Sequence, residues 1–222
     1  MGGGRRYTPS FPDHPSNERQ RRTLRSPIVY CGPMWGGKTE GLITRLVRAR
    51  IQNVRVLAFS PSMNTRDGEN TISSHSGGSF PALRVEKAES ILEYADQADV
   101  IGIDEIFMLS DIAPVVRKLM GLRKKIVMAT LDMDSEGKVW DPVGEVLGLA
   151  EEVVKCPAVC TQCKHDAYYT FRLPEAPNDR VLVGAGDFYE PRCFSCWAAG
   201  QDEKKLNKGQ KKFFATTPKL PG

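Results

Sequence analysis

Three groups of residues in this 222-residue chain combine types and spacings that can do chemistry. Gly32-Pro33-Met34-Trp35-Gly36-Gly37-Lys38-Thr39 fits G-x-x-x-x-G-K-[ST], a phosphate-cradling loop. In such a loop, backbone N–H groups and the N-terminus of the following helix face the phosphates. Lys38 then reaches the β- and γ-phosphates, and the Thr39 hydroxyl ligates Mg²⁺. Asp104-Glu105 closes the apolar run Val100-Ile101-Gly102-Ile103. An acidic residue ending a strand in a phosphate-loop fold helps hold Mg²⁺, which is the role expected of Asp104. Glu105 is placed to accept a proton from an attacking hydroxyl.

Cysteines form the third group. Cys160-Thr161-Gln162-Cys163 and Cys193-Phe194-Ser195-Cys196 are both C-x-x-C, separated by enough chain for a two-stranded ribbon. Two such turns make a closed, four-thiolate tetrahedral zinc site. No position stays open for water, so the zinc is expected to be structural. Disulfides compete, but no secretory signal supports them. A redox dithiol fits less well, because neither pair opens a βαβ unit. Cys31 and Cys156 read as small buried hydrophobes.

These residues need a scaffold that brings them together. Ile28–Cys31 reads as a buried strand and Thr39–Arg50 as a helix, the context a phosphate loop requires. Val54–Phe59 reads as a second strand, Glu86–Gln97 as a helix and Asp99–Glu105 as an apolar strand. Asp111–Leu122 reads as a helix with Asp111 near its N-cap, and Lys125–Leu131 as another strand. Ser60–Phe80 is polar and Gly-rich and reads as a long functional loop. The alternation predicts an α/β fold with a mostly parallel sheet and ligands at the carboxyl ends of its strands. The phosphate loop, Asn64–Asp67, Asp104-Glu105 and Asp132 all fall at such ends. Near Cys156 the alternation stops.

Bulk properties bound the rest. Length predicts one full domain plus a small appendage. A hydrophobic content of 41% suffices for an ordinary core. No apolar run approaches the roughly 18 residues that span a bilayer, and no apolar stretch resembles a secretory signal; a cytoplasmic protein without membrane contact is expected. Residues 1–25 hold six Arg against Asp13 and Glu18, and residues 201–222 hold six Lys against Asp202 and Glu203. The net +4 of the chain therefore belongs to its ends, around a mildly acidic core. Both ends read as disordered basic tails, with weak nucleic-acid or protein contacts as their functional reading.

Taken together, the phosphate loop, the acidic strand and the paired C-x-x-C turns resemble the zinc-containing thymidine kinases of the cytosolic type. The likeness extends over most of residues 26–200. It is carried by Gly32–Met34, Gly37–Glu40, Val100–Glu105, Leu149–Lys155, Ala158–Cys160, Tyr169-Thr170 and Val183-Gly184. The resemblance implies a RecA-like ATP-binding domain over 26–155, a zinc-binding lasso domain over 156–200, and tails at 1–25 and 201–222. It implies transfer of the ATP γ-phosphoryl group to the 5′-hydroxyl of thymidine, with Glu105 as base and Asp104 as Mg²⁺ organiser. Asn64, Thr65, Arg66 and Phe107 would join the phosphate loop on the ATP side, with Arg66 stabilising charge in transfer. Arg180, Val181, Leu182, Val183 and Gly184 would hold the base through main-chain groups. Tyr189, Thr170, Met34 and Met108 would complete the nucleoside side. Homotetramers and feedback inhibition by thymidine triphosphate are also implied.

The chain departs from that pattern on the acceptor side. Where the family typically reads Asp-Glu-x-Gln-Phe-Phe, this chain has Asp104-Glu105-Ile106-Phe107-Met108-Leu109. The usual Asp-Thr-Arg is Asn64-Thr65-Arg66, Ser-His-Asp is Ser74-His75-Ser76, and Gly-Gly is Gly184-Ala185. After Leu131-Asp132 the expected glycine is Met133, and Asp134-Ser135 replaces a small residue and an aromatic. Trp140 is placed to restore aromatic packing. The phosphate machinery is thus largely intact and the acceptor pocket altered. An active deoxynucleoside kinase is the leading expectation. The alternatives are a catalytically degenerate nucleotide-binding or structural subunit and a phosphate-loop ATPase acting on nucleic acid.

Overall fold

A computed structural model describes residues 26–64, 70–177 and 186–216, with side chains described up to residue 206. Eight strands come first: β1 (Ile28–Cys31), β2 (Val56–Pro61), β3 (Thr71–Ser73), β4 (Ser79–Pro81), β5 (Leu83–Val85), β6 (Val100–Ile103), β7 (Lys125–Thr130) and β8 (Glu152–Lys155). Six of them form one sheet in the order β5-β2-β6-β7-β1-β8, parallel throughout. β1, β2 and β6 are buried at every position. That explains their unbroken apolar runs, because a parallel sheet is covered on both faces.

Alternate residues feed two separate cores. Ile28, Tyr30, Val56, Ala58, Val127 and Ala129 pack with Leu42, Ile43, Leu46 and Ala49 of helix α1 (Lys38–Ile51). Val29, Cys31, Leu57, Phe59, Ile101, Ile103, Ile126 and Met128 face the other way. They meet α2 (Ile112–Gly121), α3 (Asp141–Leu149) and a 3₁₀ segment, Ala88–Gln97. Helices therefore cover both faces, as a doubly covered α/β layer requires.

Four sequence expectations change. The second strand begins and ends two residues later, at Val56–Pro61. The Ser60–Phe80 stretch carries an antiparallel hairpin, β3 with β4, in the register Thr71↔Pro81 to Ser73↔Ser79. The helix expected at Glu86–Gln97 is 3₁₀ over Ala88–Gln97. Asp111 stands at the N-cap of α2 without capping it through its side chain. Its carboxylate instead accepts the backbone N–H groups of Ala88 and Glu89, at 3.0 and 3.1 Å, and so caps the 3₁₀ segment. Helix α3 has no counterpart among the sequence expectations.

Beyond β8 the chain makes two small antiparallel ribbons and a helix. β9 (Ala158–Val159) pairs with β10 (Asp166–Ala167), and β11 (Tyr169–Arg172) pairs with β12 (Tyr189–Arg192). Helix α4 (Phe194–Thr216) packs on β11 and β12. It runs past residue 201, where the sequence reading placed a disordered tail. Ala158, Cys160 and Ala167, with Cys193 and Cys196, form a small core of their own. Among the described residues no helix is long and apolar enough to cross a membrane.

Asp111→Ala removes two N–H acceptors from the 3₁₀ segment without opening the core. Chemical denaturation should show a loss of about 1–2 kcal/mol. An unchanged midpoint would mean that water replaces the carboxylate there.

Candidate active site

The phosphate loop runs from the end of β1 to the first turn of α1. Gly37 sits in the left-handed region at φ 74°, at the N-cap of α1. Gly32 also has a positive φ, 142°. A Cβ on Gly36 would lie 2.6 Å from the carbonyl oxygen of Cys156, and one on Gly32 would lie closer still. The Cys156 backbone N–H donates to the Cys31 carbonyl at 2.8 Å. The chain leaving β8 is thus packed directly against the loop, and bare backbone is needed there.

Behind the loop stand the charged groups. The Thr39 hydroxyl donates to the Asp104 carboxylate, at 3.2 and 3.4 Å to its two oxygens. Asp104 is fully buried. Lys38 is also buried, and its Nζ donates to the Pro33 carbonyl at 2.6 Å. Burial pushes the Lys38 ammonium pKa down, while Glu105, Asp104, Asp132 and Cys156 oppose that shift. Glu105 follows directly, with φ 48°. This conformation is uncommon outside glycine and ends the strand abruptly. Asp132 pairs with Lys155 at 2.6 Å, joining the ends of β7 and β8.

Lys38, Thr39 and Glu105 open on a cavity of about 690 Å³. Its phosphate-loop wall carries Met34, Trp35, Gly37, Lys38, Thr39 and Glu40; Asn64 and Glu105 lie beside it. An apolar wall is made by Phe107, Met108, Leu131, Met133 and Trp140, with Asp134 and Ser135 at its edge. The Phe107 and Trp140 rings pack at 5.1 Å between centroids. Thr170, Gly186, Asp187 and Tyr189 enter from the cysteine-rich part. The Thr170 hydroxyl accepts the Met34 backbone N–H at 3.1 Å and so ties that part to the loop. Ser74, His75 and Ser76 reach in from the β3–β4 turn. His75 is exposed, as its Ser/Gly neighbours suggest, yet its ring lies 6.5 Å from that of Trp35.

The four Sγ atoms of Cys160, Cys163, Cys193 and Cys196 lie within 4.8 Å of one another. Burial alone would raise the Cys160 thiol, but the N–H groups of Cys193, Cys163 and Gln162 hold its pKa down to about 6. Cys196 is pushed up to about 12, chiefly by its hydrogen bonds with Cys193 and Cys163. Four thiolates this close repel, and a dication relieves the repulsion; the donor set can hold a zinc ion.

A family model described as thymidine kinase matches residues 26–197. The thymidine kinase of Rhodothermus sp. (strain ITI 518) is 40% identical over 170 residues, 76% of this chain and 79% of that one. That of Bacteroides thetaiotaomicron is 35% identical over 198 residues, covering 87% of this chain and 97% of its own. The chain belongs to the thymidine kinase family. The thymidine kinase of Coprothermobacter proteolyticus is 40% identical over 171 residues, 74% of this chain and 86% of its own. Among solved structures, a DNA replication initiation factor matches 60% of this chain and 40% of its own at 18% identity. Its TM-score of 0.37 is too low to bear on function.

Family membership gives the cavity a frame. Of the residues singled out in the sequence, Met34, Trp35, Gly37, Lys38, Thr39, Asn64, Glu105, Phe107, Met108, Thr170 and Tyr189 line it. Asp104 sits behind Thr39, while Gly32, Pro33 and Gly36 shape the loop without lining the cavity. Thr65, Arg66 and Arg180–Gly184 lie outside the described residues. Sequence reasoning gave no site role to Glu40, Leu131, Gly186 or Asp187. Glu40 directly follows the phosphate-loop motif in α1 and Leu131 directly follows β7, so both could have been found by extending those stretches.

Gly36→Ala places a methyl group against a backbone carbonyl that has no rotamer to yield. Denaturant unfolding should show a loss of about 1–3 kcal/mol. An unchanged midpoint would show that the β8 exit gives way.

Proposed function

We propose that this family member is an ATP-dependent thymidine kinase that moves the γ-phosphoryl group to the nucleoside 5′-hydroxyl. The observation that carries the reading is the Thr39 hydroxyl on the Asp104 carboxylate, with Lys38 and Glu105 on the same cavity. Phosphoryl transfer needs positioning and charge neutralisation more than covalent chemistry. The loop N–H groups and Lys38 hold the β- and γ-phosphates. Lys38 must first leave the Pro33 carbonyl, and a phosphate oxygen is the stronger acceptor for its ammonium. Thr39 and Asp104 would hold Mg²⁺, which would supply neutralisation of the phosphate charge. Glu105 accepts the 5′-hydroxyl proton as the new P–O bond forms and the bond from the γ-phosphorus to the β–γ bridging oxygen breaks, with ADP as the leaving group. Arg66, outside the described residues, is assigned to transition-state charge on the family resemblance.

The nucleoside lies against Met34, Met108, Thr170 and Tyr189, with the base held by the Arg180–Gly184 main chain. The cysteine-rich part, from Cys156 onward, acts as a lasso fixed by one structural Zn²⁺ on Cys160, Cys163, Cys193 and Cys196. The resemblance also supports a cytoplasmic homotetramer. Lys38, Thr39, Asp104 and Glu105 are all in place, so the degenerate, non-catalytic alternative gains no support.

Radiolabelled transfer from Mg·ATP to a deoxynucleoside panel tests the reading, with thymidine monophosphate the expected product. Glu105→Gln keeps the shape of the side chain and should lower kcat by about 10²–10⁴-fold with ATP binding retained. Near-full turnover would remove Glu105 from the base role. Metal analysis of reduced protein should find one zinc ion per chain. Chelation should speed proteolysis between Cys163 and Cys193, because metal binding energy is folding energy there. Equal cleavage rates with and without chelator would sink the zinc assignment.

A further inference from the structure

The apolar wall of the cavity is not held by the sheet alone. After β7 the chain forms a tight hairpin closed by a Met133↔Val139 bridge. Inside it, Asp134 N–H donates to the Lys138 carbonyl at 2.8 Å, and Gly137 N–H to the Asp134 carbonyl at 3.1 Å. The Asp134 Oδ1 accepts the N–H groups of Glu136 and Lys138 at 2.9 and 3.0 Å. The hairpin is thus well formed internally. It is also held from outside, by hydrogen bonds from helix α4.

Two α4 side chains converge on one carbonyl of this hairpin. Trp197 Nε1 donates to the Ser135 carbonyl at 3.1 Å, and Gln201 Nε2 donates to the same oxygen at 2.7 Å. They are four residues apart on the helix and so share a face. The indole also lies against Gly137, where a Cβ would come within 3.1 Å of the ring and where φ is +78°. A side chain there would meet both strain and the ring. On its other side Trp197 packs against Tyr169 at 4.9 Å between centroids. The Trp197 backbone N–H donates to the Cys193 carbonyl at 2.9 Å, and Trp197 follows Cys196 directly. Among the described residues no α4 side chain lines the cavity, whereas Met133, Asp134 and Ser135 do.

We infer that Trp197 and Gln201 are positioning residues for the acceptor side of the active site, acting through the Ser135 carbonyl on the hairpin that walls the nucleoside. This rests on the kinase reading above. The two side-chain hydrogen bonds end on the hairpin and not on the phosphate loop, so their loss should weaken the hold on nucleoside and spare that on ATP. They also give the cysteine-rich part a second grip on the site, independent of Thr170.

Trp197→Phe keeps an aromatic ring and loses the donor; Gln201→Leu keeps the volume and loses the amide. Each should raise the nucleoside KM about three- to tenfold, the size expected from one lost hydrogen bond, and the double variant further. KM for ATP and the zinc content should stay at the wild-type values. Amide exchange over residues 133–139 should quicken in the same order, a readout that needs no turnover. Unchanged nucleoside KM and unchanged exchange in the double variant would overturn the inference. Equal weakening of ATP and nucleoside together with lost zinc would overturn it too, showing a merely structural role. Wild type run alongside separates the two readings. If it phosphorylates nucleosides while the variants behave identically, only this inference fails. If it phosphorylates none, the kinase reading fails and takes this inference with it.

Discussion

A single carbonyl oxygen sets the geometry on which the rest of the site depends. The oxygen of Cys156 occupies the space that side chains at residues 32 and 36 would need. The phosphate loop can therefore lie flat only because both positions are glycine, and the chain can leave β8 only along this line. The next residues of that same chain build the cysteine-rich part. Loop shape and the placement of the second half of the site are thus one constraint. The Thr170 hydroxyl on the Met34 N–H repeats the link three strands later, in β11. The Lys155–Asp132 pair repeats it on the sheet side.

Charge follows from this packing. Lys38 is buried beneath the loop, and burial alone disfavours its ammonium form. Glu105, Asp104 and Asp132 favour it, in that order. Asp132 also pairs with Lys155, so it does not act on Lys38 as an unscreened charge. A buried lysine among carboxylates is costly unless an anion or cation completes the balance. Phosphates at Lys38 and a divalent cation at Asp104 would do so together, which is why positioning and electrostatics suffice as the proposed chemistry.

Features fixed by local pattern were legible in the sequence; those fixed across the fold were not. The apolar runs at Ile28–Cys31 and Val100–Ile103 had no other way to be buried, and the glycines of the loop announced its shape. Asp111 looked like the cap of its own helix, because its true partners, Ala88 and Glu89, are more than 20 residues away. The three-residue strands β3 and β4 hid in Ser and Gly composition. Helix α3 has Trp140 at its N-cap, which gives no side-chain cap, and carries Pro142, Gly144 and Gly148. The hairpin after β7 read as a break from the family pattern, since nothing local shows that Trp197 waits for Gly137. The sequence singles out Phe107, Met108, Met133 and Trp140, but their joining into one wall needed tertiary structure to be seen.

That wall decides how the altered pocket can choose an acceptor. Phe107 and Trp140 place aromatic surface beside the cavity, with Met108, Leu131 and Met133 completing an apolar face. Such a face discriminates weakly, by about 1–3 kcal/mol for a methylene. Methionine also repacks easily around different shapes. Strong discrimination comes from buried polar groups that a wrong ligand leaves unpaired. Thr170 is already committed to Met34 as an acceptor, which leaves its hydroxyl proton available to a ligand. Under the proposed function, the departures at Phe107, Met108 and Met133 then act on the size and shape of the acceptor. Its hydrogen-bonding pattern is left to Thr170 and to the main chain. On that reading, the rearranged wall would widen the range of bases accepted without disturbing how the 5′-hydroxyl would meet Glu105.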